Sequence, residues 1–297
     1  MSRVSKTAGC AIALGFAVGV AHASEVTPPA DIAKAGKITY CAEFGNPPLG
    51  FYDENQVLGG LDVDIGTEIG KRMGVKVEWK ETAFSAIIPA LLAKQCDAIL
   101  SQLFDKPQRR EVVDFTNYMY SSQSLLVPKG NPKNVKGLED LSGLKAAVDN
   151  GTTIQSLLEE QNKKFKEAGK PEVTVTVFPK DSDARQALQI GQVDVYGTTL
   201  ETAAFFLQKA GHIFDIGGEP FAKIKTGIAT RKGEADMHDA VPLLYEAPEG
   251  GERQVVAGDH HIQLKNSESY RGLPSALRAA VRERRSRSAA LCFSACC

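Results

Sequence analysis

Arg109 is the side chain in this sequence with the clearest capacity to grip an anion. It follows the stretch Ser101-Gln102-Leu103-Phe104-Asp105, and a guanidinium there can hold a carboxylate through two parallel N–H donors. Spacing alone also allows a solvated surface arginine, and Arg110 stands beside it as a decoy. Gly151-Thr152-Thr153 opens a helix, whose free N–H groups and dipole suit an anionic group. A plain threonine cap is the alternative. Asp62 and Asp64 resemble the start of a calcium loop, but Gly66 occupies the third ligand position and apolar Val63 and Ile65 alternate with the acids. No metal is therefore expected, and Asp64 reads as an acid complementing a helix start. Glu43, Asp105 and Glu201 could serve acid–base chemistry, yet no spacing singles out a pair.

Other catalytic signatures are missing: no G-x-S-x-G, no H-E-x-x-H, no P-loop and no G-x-G-x-x-G. Two of the five histidines, His260 and His261, lie in an atypical tail. The chain has 297 residues, 35 Lys+Arg against 36 Asp+Glu, and a formal charge of −1. That balance argues against nucleic-acid binding through phosphate contacts, and the length allows about two domains.

The elements that must position these residues read as one unit used twice. Lys37–Ala42, Val75–Trp79 and Asp97–Leu100 have strand character, with helices over Asp64–Met73 and Phe84–Lys94 between them. The second unit offers strands at Leu144–Val148, Val173–Phe178 and Val193–Tyr196. Its helices are one opened by Gly151-Thr152-Thr153, then Asp183–Ile190 and Leu200–Lys209. This order implies right-handed crossovers and two parallel sheets, hence two lobes. Ligands bind outside the carboxyl ends of such strands. That rule selects four loops: Glu43–Pro48, Ser101–Asp105, Asn150–Thr153 and Gly197–Thr199. Polar residues in them, with Phe44, Phe84 and Phe104 nearby, suit a small polar molecule.

The two ends differ from the body. Arg3 and Lys6, the apolar run Ala11–Ala21 and Ala21-His22-Ala23 read as an export signal cleaved after Ala23. Export places the protein where disulfides persist. Cys41 and Cys96 could then pair, although parallel strands with Cys41 late and Cys96 early would keep them apart as separate thiols. After Val241 the periodicity fades into an Arg-, Ser- and Cys-rich stretch, 242–297, which reads as a shifted reading frame. A basic amphipathic arm is the alternative reading.

Gly60-Leu61-Asp62-Val63-Asp64-Ile65, followed by Ile69, Gly70 and Met73, resembles the signature of the family 3 extracellular solute-binding proteins. These are periplasmic receptors feeding polar amino-acid ABC importers. Asn46–Phe51, Ile88–Leu91, Cys96–Ile99, Arg109–Thr116 and Val148–Thr153 agree, so the resemblance spans about Lys37 to Val241. It implies an α/β, two-lobed Venus-flytrap fold of the type II periplasmic class, each lobe a mainly parallel sheet flanked by helices. Lobe one would span 24–123 and 231–241, and lobe two 124–230. Hinge strands would fall at Ser124–Val127 and Thr226–Thr230.

The same resemblance implies a monomer that passes a carboxylate-bearing, amino-acid-like ligand to a membrane permease, without cofactor. Arg109, Ser101 and Gly151-Thr152-Thr153 would hold the carboxylate, with Gln102 beside them and Phe44, Asn46 and Phe84 as a wall. Three departures stand out. Thr199 occupies the place of the usual ammonium-binding aspartate, a loss of about 2–5 kcal/mol by analogy with truncated charge pairs. Phe104 replaces a small hydroxyl residue, and the final helices are missing after Val241. An enzyme on the same scaffold, acting on cyclic carboxylates like cyclohexadienyl dehydratase, is the alternative.

Overall fold

The computed structural model describes residues 26–240 together with Val256–Ala257 and His260–His261. The export signal and most of the tail lie outside the described residues.

The chain begins with α1 (Ala30–Ala35) and β1 (Lys37–Ala42), the latter with the bounds its β-former content indicates. A small hairpin, β2 (Phe51–Tyr52) and β3 (Leu58–Gly59), precedes α2 (Leu61–Arg72). Leu61, Ile65 and Ile69 recur at helical spacing and put one face of α2 into the core. β4 (Lys76–Glu81), a 3₁₀ turn (Phe84–Ala86) and α3 (Ile87–Leu92) lead to β5 (Ala98–Phe104) and the single turn α4 (Pro107–Arg110). The long strand β6 (Val113–Pro128) then crosses to the second unit.

That unit holds β7 (Lys145–Asp149), α5 (Thr153–Glu167), β8 (Thr174–Phe178), α6 (Asp181–Gln189), β9 (Val195–Thr199), α7 (Leu200–Ala210) and β10 (Phe214–Ile216). β11 (Phe221–Arg231) returns to the first unit and ends in α8 (Ala235–Ala240). Met237 and Ala240 of α8 are buried there. A two-stranded piece, β12 (Val256–Ala257) with β13 (His260–His261), completes the described residues.

The sheet is not divided in two, as the repeated pattern suggests. Hydrogen bonding runs through one sheet in the order β4-β1-β5-β11-β6-β9-β7-β8, with β10 on β6. The reason is that β6 and β11 pair antiparallel over most of their length and pass through both units. β1 pairs parallel with β4 and β5, and β7 parallel with β8 and β9, as expected of the crossovers. The cores are nonetheless separate. Lobe one has apolar clusters around Ile38, Ile69 and Leu100 on one face and Leu91, Ile99 and Leu103 on the other. Lobe two has clusters around Val148, Leu158 and Val195, and around Leu188, Tyr196 and Phe214. Between them β6 carries buried Ser121, Gln123 and Ser124 instead of apolar residues.

Cys41 and Cys96 form a disulfide with a Cα–Cα distance of 5.6 Å. The expected separation fails because Cys96 lies in the bend before β5, not in the strand. From there it reaches the same apolar cluster as Cys41.

Candidate functional site

A pocket of about 400 Å³, open mouth included, lies between the lobes. Its lining draws on Asn46, Phe84, Ser101, Gln102 and Phe104 from lobe one and on Thr152, Thr153 and Thr199 from lobe two. These are eight of the eleven residues anticipated from sequence. The loops assigned to Ser101–Asp105 and Gly197–Thr199 are largely strand, however. Leu103 and Phe104 pair with Gly227 and Thr226 of β11, and Thr198 and Thr199 pair with Ser124 and Gln123 of β6. Partners more than seventy residues away hold these segments extended, so the pocket is walled by strand ends.

Arg109, the third residue of α4, and Gly151 are not among the residues lining the pocket, although Arg109 stands against two that are, Phe84 and Phe104. Its Nη1 donates to the Phe104 carbonyl at 3.0 Å and its Nη2 to the Gly151 carbonyl at 3.2 Å. The guanidinium also lies 5.5 Å from the centre of the Phe84 ring, a cation–π contact. Burial lowers its pKa to about 10, so it stays charged at neutral pH. Arg110 is turned away and pairs with Asp105.

Arg109 therefore meets lobe two at the threshold of α5. Gly151 has φ +79°, and a Cβ there would lie 3.0 Å from the Ser85 Cα, so only glycine allows this approach. Thr152 caps α5, accepting weakly from the Gln155 N–H at 3.5 Å and donating to the Asp149 carbonyl at 2.7 Å. The next residues begin the helix, where backbone N–H groups have no partner within the helix. Thr153 Oγ1 is buried without a hydrogen-bond partner and lines the pocket.

Ser101 is buried and accepts from the Glu43 N–H at 3.0 Å. Gln102 is buried with φ +46°, a strained backbone for a side chain of this kind. Asp62 braces it: one carboxylate oxygen accepts the Gln102 N–H at 2.8 Å and the other the Tyr118 hydroxyl at 2.6 Å. Asp62 thus ties the start of α2 to β5 and β6. Burial raises its pKa to about 6, against the opposing effect of those two donors.

Phe44 does not join the pocket wall. It lies in the bend after β1 and packs against Tyr52 and Trp79, at ring distances of 5.5 and 5.8 Å. Asn46 remains in the lining and bridges to Gly50.

Three features escaped the sequence reading. Gln123 lines the pocket with its Nε2 buried and unpartnered. Its signal was a glutamine inside an otherwise strand-forming run. Glu201, one of the acids without a role, sits beside Thr199. It accepts from Gln102 Nε2 at 3.1 Å and from the Ser121 hydroxyl at 2.6 Å. Burial raises its pKa, and the Ser121 hydroxyl, among other donors, opposes that rise. Thr199 itself caps α7, so its hydroxyl is engaged with the Thr202 N–H at 3.4 Å. The third feature is a set of acids, Glu43, Asp149 and Asp181, gathered where the lobes touch. No sequence pattern marks them, since they come from three separate elements.

Among the described residues no helix is long and apolar enough to cross a membrane, and no group of His, Cys, Asp and Glu side chains is arranged to hold a metal ion. Residues 38–247 match the model of the bacterial extracellular solute-binding proteins, family 3. The chain belongs to this family. This solute-binding protein is 27% identical over 228 residues to the L-cystine-binding protein TcyJ of Escherichia coli (strain K12), covering 76% of this chain and 83% of that one. An ancestral arginine-binding protein solved with arginine is 35% identical, with a TM-score of 0.64, over 70% of this chain and 92% of that one. An ancestral amino acid-binding protein, described as a precursor of cyclohexadienyl dehydratase, is 27% identical with a TM-score of 0.65. It covers 81% of this chain and 95% of its own. The two-lobed α/β fold and the receptor class inferred from the motifs are those of the family.

Proposed function

We propose that this solute-binding protein serves an ABC importer and closes on an α-amino acid, delivering it to a membrane permease without chemical change. The observation that carries this reading is the contact of Arg109 with the Gly151 carbonyl at the threshold of α5. It brings a guanidinium and a helix start together across the cleft. A carboxylate between them gains two charge-assisted donors from lobe one and backbone N–H groups from lobe two. Each lobe alone offers half the contacts, so the ligand favours the state in which the lobes meet.

The sequence left the ligand's ammonium without a charged partner at Thr199. Glu201, in the first turn of α7 and joined to pocket-lining Gln102, supplies that charge in our reading. An ordinary amino acid is then accommodated, in keeping with the amino-acid-binding relatives. The hinge falls in β6 and β11 where buried Ser121, Gln123, Ser124 and Thr226 replace apolar core. The register of β11 also shifts there, between Phe221 and Ile224 and between Thr226 and Gly227. Export by the leader ending at Ala23, with periplasmic location, completes the proposal.

Isothermal calorimetry of the purified protein against the standard amino acids tests it. Expected is saturable binding of at least one of them, lost in Arg109→Ala. Full binding by that variant would remove the carboxylate assignment. The second reading, turnover of a cyclic carboxylate, draws on the acids at the lobe contact and on the dehydratase-precursor relative. A time-dependent change in absorbance on mixing with candidate cyclic carboxylates would establish it; a flat trace leaves a receptor.

A further inference from the structure

Glu43, Asp149 and Asp181 play no part in the grip on a carboxylate. Glu43 follows β1 in lobe one, whereas Asp149 ends β7 and Asp181 begins α6 in lobe two. All three are buried, with exposures of 7%, 2% and 4%. The lobes meet here: a Cβ on Gly45 would lie 3.5 Å from the Asp181 Cβ. None of the four carboxyl oxygens of Glu43 and Asp149 has a hydrogen-bond partner at full geometry. Asp181 accepts the Tyr196 hydroxyl and lines the pocket.

The surroundings supply little compensation. Arg185 of α6 and Tyr196 of β9 are the charged and titratable neighbours facing Asp181. Ser101 of β5, Thr198 of β9 and the backbone N–H groups of Asn150 and Asp181 are the neutral polar ones. Among the described residues no ion pair reaches any of the three acids.

Three carboxyl groups brought together out of water cannot all ionise. Burial first, then the charges of Asp149 and Asp181, push Glu43 up to about 9. Burial takes Asp181 to about 7 and Asp149 to about 6. When the lobes part, water reaches the cluster and the carboxyls return towards their ordinary values near about 4.

We propose that Glu43, Asp149 and Asp181 form a proton-and-cation subsite shared by the lobes: closing the cleft takes up protons there, and a positively charged group of the ligand takes their place. Only the second clause rests on the function proposed above. The sign follows from linkage. Acids raised in the closed state favour closure at low pH, and this advantage falls as pH climbs from about 4, the open value, to about 9, the highest closed one. For one proton the closed-to-open ratio falls about tenfold per pH unit. A ligand ammonium or guanidinium that takes the place of those protons makes the uptake unnecessary, so its affinity should hold level where that of a neutral ligand falls with rising pH.

Small-angle X-ray scattering of the ligand-free protein across that range tests the first clause. The compact fraction should fall with rising pH in the wild type and stay level in the Glu43→Gln/Asp149→Asn double variant. A level wild-type profile, or one that compacts as pH rises, overturns the proposal. Circular dichroism checks that the double variant folds; if it does not, Asp181→Asn takes its place, with a flattened profile expected. Calorimetry with lysine and with glutamine, each in phosphate and in Tris, tests the second clause. Glutamine should take up about one proton as the lobes close and lysine none. Equal uptake by the two overturns the cation clause. Failure of lysine to bind overturns that clause as well; failure of every standard amino acid removes the reading of function, while the scattering result still decides the proton clause.

Discussion

In the grip proposed here the two lobes solve the same task by different means. Lobe one offers side chains: Arg109 on a four-residue helix, and Gln102 in a strained backbone. Each needs bracing, and the braces are specific. Asp62 and Tyr118 hold Gln102, Phe84 underlies Arg109, and the Cys41–Cys96 disulfide secures the neighbouring apolar cluster. Lobe two offers the start of a fifteen-residue helix, with Thr152 as its cap. Its N–H groups are fixed by the helix itself and need no separate support. A grip made of long side chains must be immobilised by its surroundings, whereas one made of backbone comes with its element.

That contrast can be broken experimentally. The largest effect is expected from Cys41→Ala/Cys96→Ala. Removing a cross-link that spans 55 residues should cost about 4 kcal/mol by chain entropy. Hydrogen exchange should quicken in lobe one and hold in lobe two; equal loosening of both would erase the distinction. Next, Arg109→Ala should weaken amino-acid binding by about 3 kcal/mol, measured by calorimetry. Asp62→Ala should reach the same ligand indirectly, by releasing the Gln102 backbone. A binding loss of about 2 kcal/mol, with a lowered melting temperature, is expected from the orphaned buried Gln102 N–H. On the other side, Gly151→Ala should cost about 1–2 kcal/mol of affinity through backbone strain and the close approach of Ser85. It should also lower thermal stability without ligand by about 1 kcal/mol, because φ +79° strains alanine whether or not the lobes meet. The smallest change belongs to Thr153→Val, about 1 kcal/mol, the worth of one hydroxyl hydrogen bond to ligand.

Local chemistry made much of this legible. β1 has the sequence-derived bounds, and α5 and α7 begin where Thr153 and Leu200 put them. Arg109 was separable from Arg110 only through the family resemblance, since both lie on one turn and the pairing of Arg110 with Asp105 is tertiary. What stayed hidden depends on distant partners. Ser101–Phe104 reads as a loop until β11 arrives to pair with it. The disulfide depends on how the chain bends at Cys96, which periodicity does not encode. Glu43, Asp149 and Asp181 are unremarkable in sequence because each is one acid at the edge of its own element. Phe44 lies in the bend after β1, and its ring finds Tyr52 and Trp79, partners that the local sequence does not reveal.

The hydrogen-bonded ladder of β6 and β11, which crosses both lobes with two register shifts, has one more consequence. Opening cannot be the bending of slack linkers; it must be torsion of a paired ribbon, with its cost spread over many backbone bonds. A substitution in that ribbon, remote from the pocket, alters the work of shutting without altering what is shut upon. Such a change should scale the affinity for every ligand by a common factor and leave their ranking untouched.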